Sequence, residues 1–217
     1  MAVLTAVVKI AKSIIEAGGS VVGFRGFTEE PAHSTQRLPG GVELRRYEAR
    51  VAAETTVDDP DEESARRIGF QRLAGYIFGA NHVDIGAPKR APVVAQFRGG
   101  RGEKIAMTAP VTQYASPEGQ WVIRFFMPSA KTLESLPAPD DPAVSLVTAP
   151  AETIAVRRFS GSTSPDALAA QTAALVQTLH DQGLEATDSP AVWFYDPPWT
   201  LPFLRRTEIV IPVRPAA

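Results

Sequence analysis

The side chains able to do chemistry in this sequence are few and unevenly placed. Three histidines, His33, His82 and His180, are scattered without the spacing that metal ligands on one element require. The 217 residues contain no cysteine, which excludes disulfides, thiolate metal sites and cysteine nucleophiles. No G-x-S-x-G elbow, H-E-x-x-H or P-loop occurs, and Gly100-Arg101-Gly102 lacks the third glycine of a dinucleotide loop. Nothing in the motif content demands an enzyme. The sharpest local charge asymmetry lies in 83–104, where Lys89, Arg90, Arg98, Arg101 and Lys104 face only Asp84 and Glu103. That segment is basic in a chain whose formal charge is −2. Such a cluster either pairs with an anionic ligand or keeps a long loop solvated, and both readings stand. Arg45-Arg46 and Arg157-Arg158 supply further cations. Neighbours on a strand face opposite ways, so one arginine of each pair faces whatever covers the sheet.

The elements that hold these residues can be read from composition and periodicity. With 44% hydrophobic and 21% charged residues the chain is of ordinary globular type, and its near-neutral charge argues against nucleic-acid binding. Its 19 prolines avoid 1–30, 61–87 and 166–189, the windows where long helices fit. Residues 1–27 read as a helix and linker, with Val3, Val7, Ile10 and Ile14 on one side and lysines on the other. Lys9, Lys12 and Glu16 interrupt the run well short of a membrane span, and charges inside the run argue against a secretory signal. The helix is expected to pack on the body of the protein or to mediate self-association or peripheral membrane contact. The chain reads as cytoplasmic.

Val42–Tyr47 and Arg50–Val57 look like strands, the second alternating Val51, Ala53, Thr55 and Val57 on one face. Asp59-Pro60 reads as a helix start with Asp59 as cap, and Gly79 as the end. Ala65, Ile68, Leu73, Tyr76 and Ile77 form the apolar stripe between them. Ile105–Tyr114 and Trp121–Met127 are strand-like. The order then recurs in Val144–Val147, Thr153–Phe159, a helix opened by Ser164-Pro165, and closing strands at Val192–Tyr195 and Glu208–Val213. The helix-opening prolines, Pro60 and Pro165, stand further apart than Pro128 and Pro212, and the excess matches the length of the basic loop. A β-β-α-β-β unit is therefore expected twice, over about 42–128 and 144–213, with an insertion in the first. Two such units give an α+β fold: a twisted, barrel-like antiparallel sheet of eight strands under two helices.

The most distinctive stretch is Lys104-Ile-Ala-Met-Thr-Ala-Pro-Val111. It resembles the signature of the SOUL/haem-binding protein family. Val42–Glu48, Tyr76–Asn81, Asp196–Arg206 and the lead-in Thr28–Pro31 resemble other stretches of that family in the same order, so the likeness spans 28–213. The resemblance implies a duplicated ferredoxin-like fold in a single domain, followed by a short tail over 214–217. It also implies binding of haem or a related porphyrin, for buffering or delivery. The duplicated fold further resembles GyrI-like sensors, which leaves open binding of other amphipathic small molecules, or of a protein partner.

Within that resemblance, a tetrapyrrole needs an apolar slot, cations for two propionates and an optional axial ligand. Leu73, Tyr76 and Ile77 are the slot candidates, with plain core as the competing reading. Arg45, Arg46, Arg98, Arg101 and Lys104 are the propionate candidates. His82, which opens the basic loop, is the tentative axial ligand to haem iron, and Met107 a further candidate. Some family members carry histidine where this chain has Arg46, and arginine cannot replace imidazole on iron.

Overall fold

The computed structural model describes residues 28–82, 102–196 and 200–216; the expected N-terminal helix and most of the basic loop lie outside the described residues. In chain order the elements are β1 (His33–Arg37), β2 (Val42–Tyr47), β3 (Arg50–Val57), α1 (Glu62–Ile77), β4 (Asn81–His82), β5 (Val111–Ala115) and β6 (Trp121–Phe126). There follow β7 (Ala138–Pro139), β8 (Ser145–Ala149), β9 (Glu152–Phe159), α2 (Pro165–Asp181), β10 (Leu184–Ala186), β11 (Ala191–Phe194) and β12 (Thr207–Pro215).

One curled antiparallel sheet runs in the order β1-β2-β9-β12-β11-β5-β6-β3-β8, with β10 on the far end of β12. The small pair β4-β7 stands apart. The order reads alike from both sides of the β11–β5 contact, as β5-β6-β3-β8 and as β11-β12-β9-β2. β8 and β2 thus each complete the half of the sheet that is built mainly from the other half of the sequence. Two strands exceed the expected eight. β1 (HSTQR) is exposed throughout and has no apolar alternation to announce it; its backbone pairing with β2 makes it a strand. β10 is three residues long and follows Gly183, below the length at which a period can be read.

Local chemistry accounts for the helices. Asp61, rather than Asp59, caps α1, its carboxylate accepting the Ser64 N–H at 2.6 Å. Asp59 instead accepts from the Asp61 N–H and the Ser64 hydroxyl, so Pro60 lies just outside the helix. Glu62 and Glu63 then sit where the helix dipole favours negative charge. α2 starts as expected, with Ser164 accepting from Ala167 N–H and Pro165 at the first helical position. Gly69 lets α1 approach the sheet: a Cβ there would lie 2.7 Å from the Ile123 side chain.

Three apolar clusters result. Leu73, Tyr76 and Ile77 of α1 pack on Ala53, Ile123 and Phe125. Leu168, Leu175 and Leu179 of α2 pack on Ala155, Ile209 and Ile211. A third cluster, around Tyr47, Phe126, Ile154 and Trp193, lies on the opposite face and contains no helix residue.

The distinctive stretch differs from its expectation. The strand begins at Val111, and residues 105–110, with one isolated parallel bridge between Thr108 and Glu29, sew parts of the fold together. Ile105 N–H donates to the Ile77 carbonyl, Ala109 N–H to Glu29, and the buried Thr108 hydroxyl to Phe126. The Ala109–Pro110 bond is cis.

Candidate functional site

α1 ends at the base of the basic loop, where the two ends of that excursion are fastened together. The Asn81 side chain is buried; its amide donates to the Tyr76 and Glu103 carbonyls at 2.7 and 2.9 Å, and its oxygen accepts the Glu103 N–H at 2.9 Å. Gly102 packs so closely on the Gly79 and Asn81 carbonyls that a Cβ would collide with them. With its ends fixed this way, an insertion adds only loop-closure entropy, which grows slowly with length.

His82 stands at this base, 60% exposed in its side chain. Its Nδ1 lies 2.7 Å from a carboxylate oxygen of Asp140, and Asp140 N–H donates to the Ala80 carbonyl. A carboxylate can only accept, so Nδ1 carries the proton and the neutral ring keeps its lone pair on Nε2. That is the tautomer and orienting partner found behind metal-ligating histidines. His33 has the same tautomer, donating from Nδ1 to the Pro31 carbonyl at 3.0 Å, and its ring packs on Tyr47. His180 is exposed, 3.5 Å from Asp181.

Beside His82, the β4-β7 pair borders a pocket of about 400 Å³. Leu133, Leu136, Pro137, Ala138, Pro139 and Leu146 line it together with the polar Glu103, Glu134 and Ser135. Lys104 is exposed next to Glu103, whose carboxylate pairs with Lys131 at 2.5 Å. Tyr76 lies in the core behind Pro137, its hydroxyl donating to the Pro137 carbonyl; burial, then the Glu103 charge, pushes its pKa up to about 12.

The other candidates fall in different places. Leu73, Tyr76 and Ile77 are close-packed core and do not line this pocket. Arg46 is exposed, Met107 is 37% exposed, and Arg98 and Arg101 lie outside the described residues. Arg45 faces the helix-free side of the sheet, where it is already bound. Its Nη1 and Nη2 donate to the two Glu208 oxygens at 2.7 and 3.0 Å, and its Nε donates to Glu43.

That pair belongs to a buried polar network that reading the sequence did not find. Glu208 is fully buried and also accepts from the Tyr195 hydroxyl and Arg206 Nε, while Arg206 reaches on to Glu30. Burial would raise the Glu208 carboxyl, but the Arg45 hydrogen bonds and the charges of Arg45 and Arg206 hold it below the usual carboxylate range. Nearby, the Arg50 guanidinium lies over Tyr47 and Phe126 at 4.1 and 4.3 Å and pairs with Glu152. The available signal was a glutamate inside the apolar strand Thr207–Val213, whose alternation puts Glu208 opposite to Ile209 and Ile211.

Among the described residues no group of three or more histidine, aspartate or glutamate side chains could hold a bare metal ion. None of the described helices is long and apolar enough to cross a membrane. The molecule is thus a curled antiparallel sheet with His82 and a pocket near the end of α1. By its sequence the protein belongs to the SOUL heme-binding protein family, whose model matches residues 28–212.

Similar proteins include Heme-binding protein 2 of Mus musculus and of Homo sapiens, each 29% identical over 151 residues. These matches cover 67% of this chain and 64% of each relative, so the chain spans under two thirds of their length. In fold it is similar to the EcmrR C-terminal domain, with TM-score 0.56 and 17% identity over 84% of this chain and 99% of that one. An uncharacterized conserved protein from Listeria innocua gives 0.55 and 13% over 80% and 92%.

Proposed function

We propose that this chain binds haem or a related tetrapyrrole at the base of the 83–101 excursion. The observation that carries the reading is the His82–Asp140 pair near a pocket of mixed lining, in a chain of a heme-binding family. The donor set fits the group: an imidazole with its Nε2 lone pair free and its Nδ1 fixed by a carboxylate. Bound haem would bring an iron that accepts this imidazole as an axial ligand. The chain's own part is to hold the ring against Leu133, Leu136 and Pro139 and to orient His82. Lys104, with Arg98 and Arg101 of the loop, supplies the positive charge for the propionates. An open pocket and an exposed ligand favour reversible uptake, which is what buffering or delivery needs.

Hemin titration tests the reading. A saturable Soret shift with micromolar or tighter affinity is expected, and a flat, non-saturating spectrum would refute it. His82→Ala should move the Soret band, whereas Lys104→Glu should weaken affinity and leave the band in place. An unmoved band in His82→Ala, with the shift retained in the unchanged protein, removes the ligand role and directs the same test to His33.

A further inference from the structure

A second surface stands apart from the pocket beside His82. Leu201, Pro202, Phe203 and Leu204 are four consecutive apolar residues, all exposed, with Phe203 at 70%. A run of that kind on a surface is unfavourable unless it has a use. Isolated exposed apolar residues need no explanation, but a contiguous set does. The turn is also held in shape. Pro202 opens a single turn of 3-10 helix, Leu204 N–H donates to Leu201, Arg205 N–H to Pro202, and Gly161 N–H to the Pro202 carbonyl at 2.9 Å. Arg205 Nε donates to the Thr200 carbonyl at 2.7 Å, fastening the other side. The apolar tip is therefore presented by a fixed backbone.

Cations border it. A shallow depression between the tip and the end of β9 is lined by Phe159, Phe203 and Leu204 together with Arg158, Ser160 and Arg205. Arg158 is exposed, and among the described residues no carboxylate pairs with it. Its neighbour Arg157, on the other face of β9, is by contrast bound to Gln171 and Gly40. Apolar side chains at a tip with arginine beside them match a bilayer surface, where acyl chains lie under anionic headgroups.

We infer that the Leu201–Leu204 turn, with Arg158, docks this protein on an anionic lipid surface. Phe203 and Leu201 enter the headgroup–acyl boundary, and Arg158 meets lipid phosphates or carboxylates. The chain as a whole is slightly acidic, so attachment depends on this local charge and weakens as salt screens it.

Co-sedimentation of the full chain with phosphatidylcholine vesicles, with and without phosphatidylserine, tests the inference. Binding to the phosphatidylserine vesicles, reduced by salt and weak on phosphatidylcholine alone, is expected. Phe203→Glu should lower partitioning at least tenfold, the loss of one buried aromatic side chain. Arg158→Ala should lower it about fivefold, the effect of one cation near an anionic membrane. Phe203 is largely exposed, so an unchanged circular dichroism spectrum and hemin titration should accompany the loss. No sedimentation with anionic vesicles overturns the inference. So does equal sedimentation of Phe203→Glu, which would put the contact elsewhere, in the N-terminal segment for example. If light scattering shows a dimer that Phe203→Glu splits, and vesicles bind neither form, the tip covers a second copy of this chain and the inference also fails. Hemin binding is read independently of vesicle binding, so either proposal can fall alone.

Discussion

The two faces of the sheet are buried by different means. Under α1 and α2 the sheet presents Ala53, Ile123 and Phe125, then Ala155, Ile209 and Ile211, and helices cover them with apolar side chains. On the opposite face, aromatic residues share the space with Arg45, Arg50, Arg206 and Glu208. The first face tolerates change in proportion to lost volume. The second is a set of charges taken out of water that stay favourable only while each keeps its partner. Buried ionic groups on a sheet face attract a functional reading. Here Arg45, Arg206 and Glu208 bind one another, whereas Arg50 keeps two buried guanidinium nitrogens without a hydrogen-bond partner.

The largest effects should come from the charged face. Glu208→Gln keeps the shape but leaves Arg45 and Arg206 buried against a neutral amide, and urea unfolding should show a loss of about 3–5 kcal/mol. The intact carboxyl also makes stability depend on acid. Its folded pKa is depressed, so its contribution is fully present above the ordinary glutamate range near 4.5 and is lost as pH falls through the lower folded value. Thermal melts between pH 7 and 3 should fall more steeply for the unchanged protein than for Glu208→Gln. A parallel fall would place the sensitivity in other carboxylates. Next in size, Leu73→Ala on the helix-covered face should cost about 2–5 kcal/mol with little change of pH dependence. Smallest is Arg46→Ala, expected within about 0.5 kcal/mol because Arg46 is exposed beside the buried Arg45. A loss comparable to that of Arg45→Ala would erase the distinction between the two faces.

Much of this was legible in the chain because it is local. The strand Arg50–Val57 alternates visibly, and Ser164-Pro165 announces α2 through a cap and a preset backbone angle. β1 was not legible, since HSTQR becomes a strand only by pairing with β2. Asp61, two residues on, displaced Asp59 as cap through backbone geometry that an Asp-Pro-Asp sequence does not specify. At the site, His82 was visible as a histidine opening a basic loop. Its partner Asp140 lies 58 residues away and could be found only once β4 met β7.

The sequence alone determined the two long helices, the main strands, the α+β order and the family, because propensity, capping and period act over a few neighbouring residues. The tertiary structure alone decided which arginines are free. Arg45 and Arg46 are adjacent in sequence, yet one is locked to Glu208 across the sheet and the other is exposed. Arg157 and Arg158 divide in the same way, one bound to Gln171 and Gly40 and the other beside the exposed Phe203. Charge is a property of the residue. Its availability depends on which strand lies beside it, and that pairing joins segments too far apart for any local rule to reach.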